Sequence, residues 1–475
     1  MNKIVIVLSG ILLFCACNGK KSSTEAVAPS SAAVAEEEEA FRLIQPEKIA
    51  AGVQYTGERK ADPETPLLVL DYKKEPVHKA LDLKSYFDSV KLVLLEHPLP
   101  AGEGGFLYNC RVVLIGDRGM SSFHSDAQVW VDDTYILAGD RFFGLYGYDR
   151  NGKLIDTLAA GKGFKFKFKD SPLSIECKMA DFHGYNGGLD LWNGRCSFIW
   201  SDTARRLSTR WYDVKKRKMV QEQPWDSRRR GPQPVALDRN TYFCVYNTLF
   251  SPEKVFLRTF SIQGDTLCEF TDYIRPEKEI RGSYAFPDRF DVYRLNGKQY
   301  VRQPFSDTVF QVSENRLLPV YVLDFGEKRM NISIATSNQS KAGKYVSASW
   351  KDTPEAILFA YTENYDCPRN RDNKEVKYYY SYYDKKAGQI FHMPVSGDVY
   401  PEELLISNSL EGGLPFTWDM AATSDGKLVI GYPRQRLEAL TRLKGYKALP
   451  AAQKENVKKM LARMNDRQML VMIIE

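Results

Sequence analysis

One unit recurs along this chain and limits its fold more than any other feature: an alternating strand, a turn holding Asp, Asn or Gly, and a second strand. It first reads Leu145-Tyr146-Gly147-Tyr148-Asp149-Arg150-Asn151-Gly152-Lys153-Leu154-Ile155, and it returns at residues 210–220, 259–267, 309–317 and 382–390. Alternation with a period of two gives each arm two distinct strand faces. Asn151-Gly152 tolerates the positive φ that a type I′ hairpin turn requires. The turns lie about 50–70 residues apart, a period typical of propeller blades, because a single four-stranded sheet cannot bury both its faces alone. Five such outer hairpins in 475 residues fit six blades, one of them degenerate or shared between the chain ends. A pair of β-sandwiches would not repeat one hairpin grammar in this way. The expected fold class is therefore all-β, a six-bladed β-propeller.

Residues 434–464 break the strand pattern. Leu437, Leu440, Val457, Met460, Leu461 and Met464 recur at helical spacing among Ala, Glu, Lys and Arg, which predicts two short helices flanking Pro450. The chain then runs Met469-Leu470-Val471-Met472-Ile473-Ile474, an unbroken buried-strand pattern. A ring needs such a terminal strand to close, since an open sheet edge invites aggregation.

The N-terminus assigns a compartment. Lys3, the apolar residues 4–14, the small Ala16 and then Cys17 make a bacterial lipoprotein signal. The apolar run is roughly half of the ~20 residues that span a bilayer. Phe14 is too bulky to precede an acylated cysteine, so Cys17 rather than Cys15 is the expected lipidation site. Residues 1–16 read as the signal peptide. Residues 17–66, which are rich in Ser, Ala, Lys and Glu and include Glu36-Glu37-Glu38-Glu39, read as a lipidated and largely disordered tether. The propeller is expected over 67–475.

Charge excludes one class of partner. Lys and Arg number 66 against 60 Asp and Glu, a balance too close to neutral for a dedicated nucleic-acid binder. Beyond Cys17, the cysteines at 110, 177, 196, 244, 268 and 367 show no metal spacing, and Cys244 and Cys268 sit in apolar strand patterns as buried thiols. The five histidines (78, 97, 124, 183 and 392) likewise never fall at ligand spacing. No GxSxG, HExxH, Walker loop or EF-hand is present. No cofactor or metal is expected. A carboxylate pair of the glycosidase kind stays open, because sequence alone cannot pair carboxylates across a fold.

Two patterns are candidate binding features. Phe164-Lys165-Phe166-Lys167-Phe168-Lys169 places Lys165, Lys167 and Lys169 on one strand face, a basic ridge suited to an anionic glycan or headgroup. The loop from Asp181 to Gly188 offers Phe182, His183 and Tyr185, and Tyr378-Tyr379-Tyr380 adds further rings with polar handles, as sugar-stacking surfaces do. Ordinary blade packing explains each of them equally well.

The segments Leu81-Asp82-Leu83-Lys84-Ser85-Tyr86-Phe87-Asp88-Ser89-Val90, Ser306-Asp307-Thr308-Val309-Phe310-Gln311-Val312, Leu318-Pro319-Val320-Tyr321 and Asp324-Phe325-Gly326 carry a resemblance. They are similar to the six-bladed β-propeller lipoproteins of Bacteroidetes, relatives of the TolB-like and NHL-like propellers, from about residue 67 to the C-terminus. Gly161-Lys162-Gly163-Phe164 and Asn465-Asp466-Arg467 depart from that pattern. The resemblance implies the fold and an envelope location, and it brings no catalytic residues. The expectation is a lipid-anchored binding or scaffold protein, placed at the outer membrane with its face undecided, for a glycan, peptide or envelope protein. The alternative is a hydrolase or lyase acting on carbohydrate or lactone at the channel.

Overall fold

The computed structural model describes residues 42–43, 54–55, 66–72, 77–96 and 128–475, the last span without 141–143, 168–173, 181–188, 193, 202–206, 225–232, 239, 247–254, 262, 273, 275–290, 338, 366–375, 396, 398 and 466–467. Six antiparallel sheets follow one another in chain order. Their inner strands are Gln128–Val131, Leu189–Trp192, Gln233–Ala236, Asp291–Leu295, Tyr345–Asp352 and Ala421–Ser424. These define blades 1 to 6 of a β-propeller, as the repeating hairpins predicted. All five recognised hairpins join the third and fourth strands of blades 1 to 5. Blade 6 is the shared one: its third strand is Met469–Ile474 and its fourth is Val90–Leu95, in antiparallel register from Met469↔Leu95 to Ile474↔Val90. All six residues of the terminal strand are buried. At about 1.5–3 kcal/mol per buried apolar side chain, this pairing is a large part of what holds the ring shut.

The turn chemistry differs from the expectation in one respect. At the first hairpin only Gly152 has positive φ (87°), so Asn151-Gly152 is not a type I′ pair. Asp149 instead accepts from the backbone N–H groups of Asn151 and Lys153, and Gly152 closes the longer turn. Turns with two consecutive left-handed residues do occur, but between the first and second strands: Asn296-Gly297 (52° and 73°) and Asp425-Gly426 (46° and 83°). Those two tight turns belong to the inner hairpins of blades 4 and 6.

Alternation of strand direction sorts the connections. Turns from first to second and from third to fourth strand lie on one face of the ring. Connections from second to third strand, and from each blade to the next, start and end on the opposite face. The predicted helical segment is one of the latter: Arg434–Leu440 and Ala451–Arg463 lie between the second and third strands of blade 6 and bury Leu437, Leu440, Val457 and Met460 against the blade 5–blade 6 core. Apolar clusters fill the other inter-blade seams, with Cys244 among the rings of Trp211, Tyr242 and Phe260 and Cys268 beside Phe243 and Phe270.

The N-terminal segment forms a belt. Arg42–Leu43 pairs in parallel with the fourth strand of blade 2, Gln54–Tyr55 with that of blade 3, Leu68–Asp71 with blade 4 and Val77–His78 with blade 5, before Val90–Leu95 enters blade 6. Each addition covers an otherwise open edge. Strand pairing therefore begins inside the stretch read as tether. Edge pairing uses backbone groups, which every residue carries, so a polar composition does not reveal it.

Candidate functional site

The densest group of buried charges lies toward the long-connection face, where blades 4, 5 and 6 meet. Asp291 opens the inner strand of blade 4 and Arg302 ends the second, and the two stand directly opposite in register. Arg302 Nε donates to Asp291 Oδ2 at 2.8 Å and Nη2 donates to the same oxygen, while the arginine side chain is fully buried. Asp419 sits in the short turn Trp418–Met420 that leads into blade 6. Thr417 Oγ1 donates to it at 2.6 Å, and Arg436, from the first turn of the helix Arg434–Leu440, reaches both carboxylate oxygens at 2.7 and 2.8 Å. Burial disfavours charge on Asp291 and on Asp419 and pushes both upward. The Arg302 guanidinium opposes that push on Asp291, and the Thr417 hydroxyl and the Lys351 charge oppose it on Asp419.

Between these two pairs stands Lys351, on the inner strand of blade 5 and 6% exposed. Its Nζ lies 4.8 Å from the centre of the Trp418 ring. Among the described residues the ammonium has no hydrogen-bond or ion-pair partner, although the charges of Asp291 and Asp419 act on it from further away. Burial brings it down to about 8 against those two attractions. Nearby, burial pushes the Glu402 carboxyl up to about 7, with the negative charge of Asp419 adding to the shift.

An aromatic run leads outward along the same side of blade 5. Tyr380 meets Trp418 at 5.2 Å, Tyr378 lies two residues along the strand from Tyr380, and Tyr378 meets Tyr400 at 5.4 Å. Tyr400 is one of the few large apolar side chains that are exposed, at 41%. Tyr379 points to the opposite sheet face and stacks on Tyr361 at 5.0 Å. The Tyr378-Tyr379-Tyr380 pattern is thus divided between two seams.

The residues singled out in sequence lie elsewhere. Cys17, Lys169, Phe182, His183 and Tyr185 fall outside the described residues. Lys165 and Lys167 are on the fourth strand of blade 1, Leu154–Lys167, at backbone positions paired with Glu176 and Ser174. That strand leaves the third strand after Ala160, which pairs with Gly144, and continues past the long-connection face as a hairpin with Ser174–Ala180. These positions lie on the part of the strand that pairs with Ser174–Ala180 as the outer edge of the blade 1 sheet. Lys351, Asp291, Asp419 and Glu402 carry no local signal, since each is a single charge in an ordinary strand or loop.

Of the histidines, His78 and His392 are described. They stand opposite each other where the belt joins blade 5, with ring centres 6.1 Å apart, and burial together with His78 lowers His392 to about 4. Among the described residues no group of three or more His, Cys, Asp or Glu side chains is placed to hold a metal ion, and no helix is long and apolar enough to cross a membrane.

Residues 216–442 match the model of a family described as a domain of unknown function, DUF4933. That match spans the third-to-fourth hairpin of blade 2 through the helix carrying Arg436, and so includes every member of the charge cluster. No curated protein matches the sequence. Among solved structures the chain is similar to an exported protein of Bacteroides fragilis, at 11% identity and a TM-score of 0.48, covering 84% of this chain and 98% of that one. A protein of unknown function from Bacteroides caccae follows at 12% identity and 0.30, covering 64% and 94%. An ulvan lyase of polysaccharide lyase family 25 is matched at 10% identity and 0.27, covering 52% and 63%. At these scores none of the three bears on function, and the blade assignment rests on the sheets themselves.

Proposed function

We propose that this is a binding propeller of the cell envelope, anchored by lipid on Cys17, that takes a glycan on its long-connection face over blades 4 to 6. The observation that carries the reading is the state of the carboxylates. Asp291 and Asp419 are each engaged by an arginine rather than left as a free acid and base. Such a cluster orders a surface but offers no acid/base couple. Exposed Tyr400, held against half-buried Tyr378, supports a sugar ligand, because aromatic faces pack against the apolar faces of sugar rings while their polar handles bond hydroxyls. The belt supports a rigid scaffold, since it covers the outer edges of blades 2 to 5 and leaves the face between the connections for binding.

The test is binding of the full chain to immobilised envelope polysaccharides. Tyr400→Ala should lower binding at least tenfold, and Asn296→Ala on the opposite face should leave it unchanged. Equal loss in both variants, or turnover of a carbohydrate or lactone by the wild type, overturns the reading. Turnover would favour an enzyme, for which Glu402, pushed up to about 7 by burial, is a candidate acid. Metabolic acyl labelling that persists in Cys17→Ala would remove the anchor.

A further inference from the structure

We propose that the helical insertion of blade 6 is a docking stripe for a polyanionic polysaccharide, a reading that rests on the glycan-binding function above and names its ligand class. The net charge of the chain is concentrated there. Of the 66 Lys and Arg and the 60 Asp and Glu in the chain, residues 441–463 hold seven of the former and one of the latter, so this stretch accounts for the entire net charge of +6. Arg442, Lys444, Lys447, Lys458, Lys459 and Arg463 are all exposed. Among the described residues none of these six side chains has a hydrogen-bond or ion-pair partner.

A helix face that is merely solvated mixes both signs at three- and four-residue spacing. Here Lys459 and Arg463 stand one turn apart with like charge, and Glu455, one turn before Lys459, forms no ion pair with it. Like charges at that spacing repel, and a bound anion removes the repulsion. Exposed Glu403 and Glu411, on the connection from blade 5, reduce the excess without cancelling it. The backbone under the charges is fixed. Val457, Met460 and Met464 anchor the helix Ala451–Arg463 in the blade 5–blade 6 core. Buried Gln453 donates to Ser407 Oγ at 2.7 Å and to the Asn408 carbonyl at 2.8 Å, and Arg434 Nη1 donates to the Leu461 carbonyl at 2.6 Å. Less order is then left to impose when a ligand arrives.

Two observations favour a polymer over a lipid surface. The stripe approaches the exposed ring of Tyr400: a Cβ on Gly445, between Lys444 and Lys447, would stand 3.4 Å from that of Leu405, and Leu404 N–H donates to the Tyr400 carbonyl at 3.0 Å. None of the exposed large apolar side chains among the described residues lies on the insertion, so it has nothing to bury in a bilayer. Four of the six charges are ammonium groups, which respond to charge density rather than to the shape of one anion. Uronate and sulfated polysaccharides share the required chemistry.

Binding of the full chain to polygalacturonate, heparin and neutral dextran tests this. At about 50 mM NaCl one or both acidic polymers should bind at least tenfold more tightly than dextran, and about 500 mM NaCl should abolish that preference. Which polymer binds identifies the anion. The triple variant Lys458→Gln/Lys459→Gln/Arg463→Gln should lose at least tenfold in affinity while its melting temperature stays near that of the wild type, since all three side chains are exposed. Lys153→Gln/Lys298→Gln/Lys386→Gln, with the same change in charge on the opposite face, should stay within about twofold. Equal loss in the two triple variants, or acidic polymers binding no better than dextran, overturns the proposal. Binding to phosphatidylglycerol vesicles but to neither acidic polymer overturns it in favour of a membrane. Polysaccharide binding that needs Tyr400 but ignores the triple variant and salt would reject this inference alone. Binding that needs the three charges but not Tyr400 would keep the stripe and remove the aromatic contact.

Discussion

On one face of the ring, Asn296-Gly297 and Asp425-Gly426 reverse the chain within two residues, and Asp132 caps its own turn by accepting from Thr134 and Tyr135 at 2.8 and 2.7 Å. On the other face, the buried charges come from residues 291, 302, 351, 419 and 436, on three blades and an inserted helix. The first face satisfies its polar groups locally and adds cross-blade bonds afterwards, such as Gly194 N–H to Asp132 at 2.9 Å and Lys427 to Asp133 at 2.7 Å. The second face pairs Asp291 with Arg302 inside blade 4 and Asp419 with Arg436 at blade 6, and sets Lys351 of blade 5 in the field of both aspartates only once the three blades are together. Damage to a local turn should therefore be a small, separable loss, whereas damage to closure or to the charge cluster should spread across blades.

Ring closure makes the largest expected difference. Removing residues 468–475 deletes the third strand of blade 6 and strands Val90–Leu95 without a partner, so the product should be insoluble or lack a cooperative melt. A soluble truncation that melts cooperatively would mean the ring does not depend on its ends. Next in size is Asp291→Ala, which removes the carboxylate that two guanidinium nitrogens of the fully buried Arg302 engage and should cost about 3–5 kcal/mol by denaturant unfolding. The double variant Asp291→Leu/Arg302→Leu should recover most of that loss. If it does not, the pair contributes more than mutual neutralisation.

Lys351 predicts a pH dependence of its own. Below pH 8 folded and unfolded chains both hold the proton, and the burial penalty is present in full. Between about 8 and the ordinary 10.5 the unfolded chain keeps a proton that the folded chain has released, so stability rises with pH across that window. The gain should be on the order of 3 kcal/mol and should vanish in Lys351→Met. A wild-type curve parallel to that of the variant would show that the ammonium is not desolvated. The smallest effect is expected on the turn face, from Gly297→Ala. A Cβ there meets nothing within 4 Å, and the change should cost only about 1 kcal/mol for its φ of 73°. Gly152→Ala should cost more, because its Cβ would stand 2.3 Å from the Leu94 carbonyl oxygen, where blade 1 abuts the closing strand.

Much of the fold was legible in the chain. The hairpin from Leu145 to Ile155 and its four repeats announced outer hairpins of five blades, and the absence of a sixth left one blade degenerate or shared between the chain ends, of which the structure has the shared one. The helices around Pro450 followed from the spacing of Leu437 to Met464. The candidate site was barely legible. Tyr378 and Tyr380 stood out as rings, but nothing near Lys351 in sequence marks it, since Trp350 and Asp352 on either side face the other sheet surface, toward Tyr293. The belt was hidden for a different reason, because two-residue parallel pairings such as Gln54↔Cys268 require no side-chain pattern.

The sequence by itself determined the number of blades, the position of the helical insertion and the buried terminal strand. Turn residues and strand alternation act over a few positions, and a repeated local signal survives translation into three dimensions. Only the tertiary structure decided that the N-terminal segment runs along the rim, that the last strand pairs with residues 90–95, and that Lys351 lies between two aspartates already held by arginines. Those outcomes depend on which distant groups share a desolvated space. Desolvation is a property of the closed ring and of no segment within it.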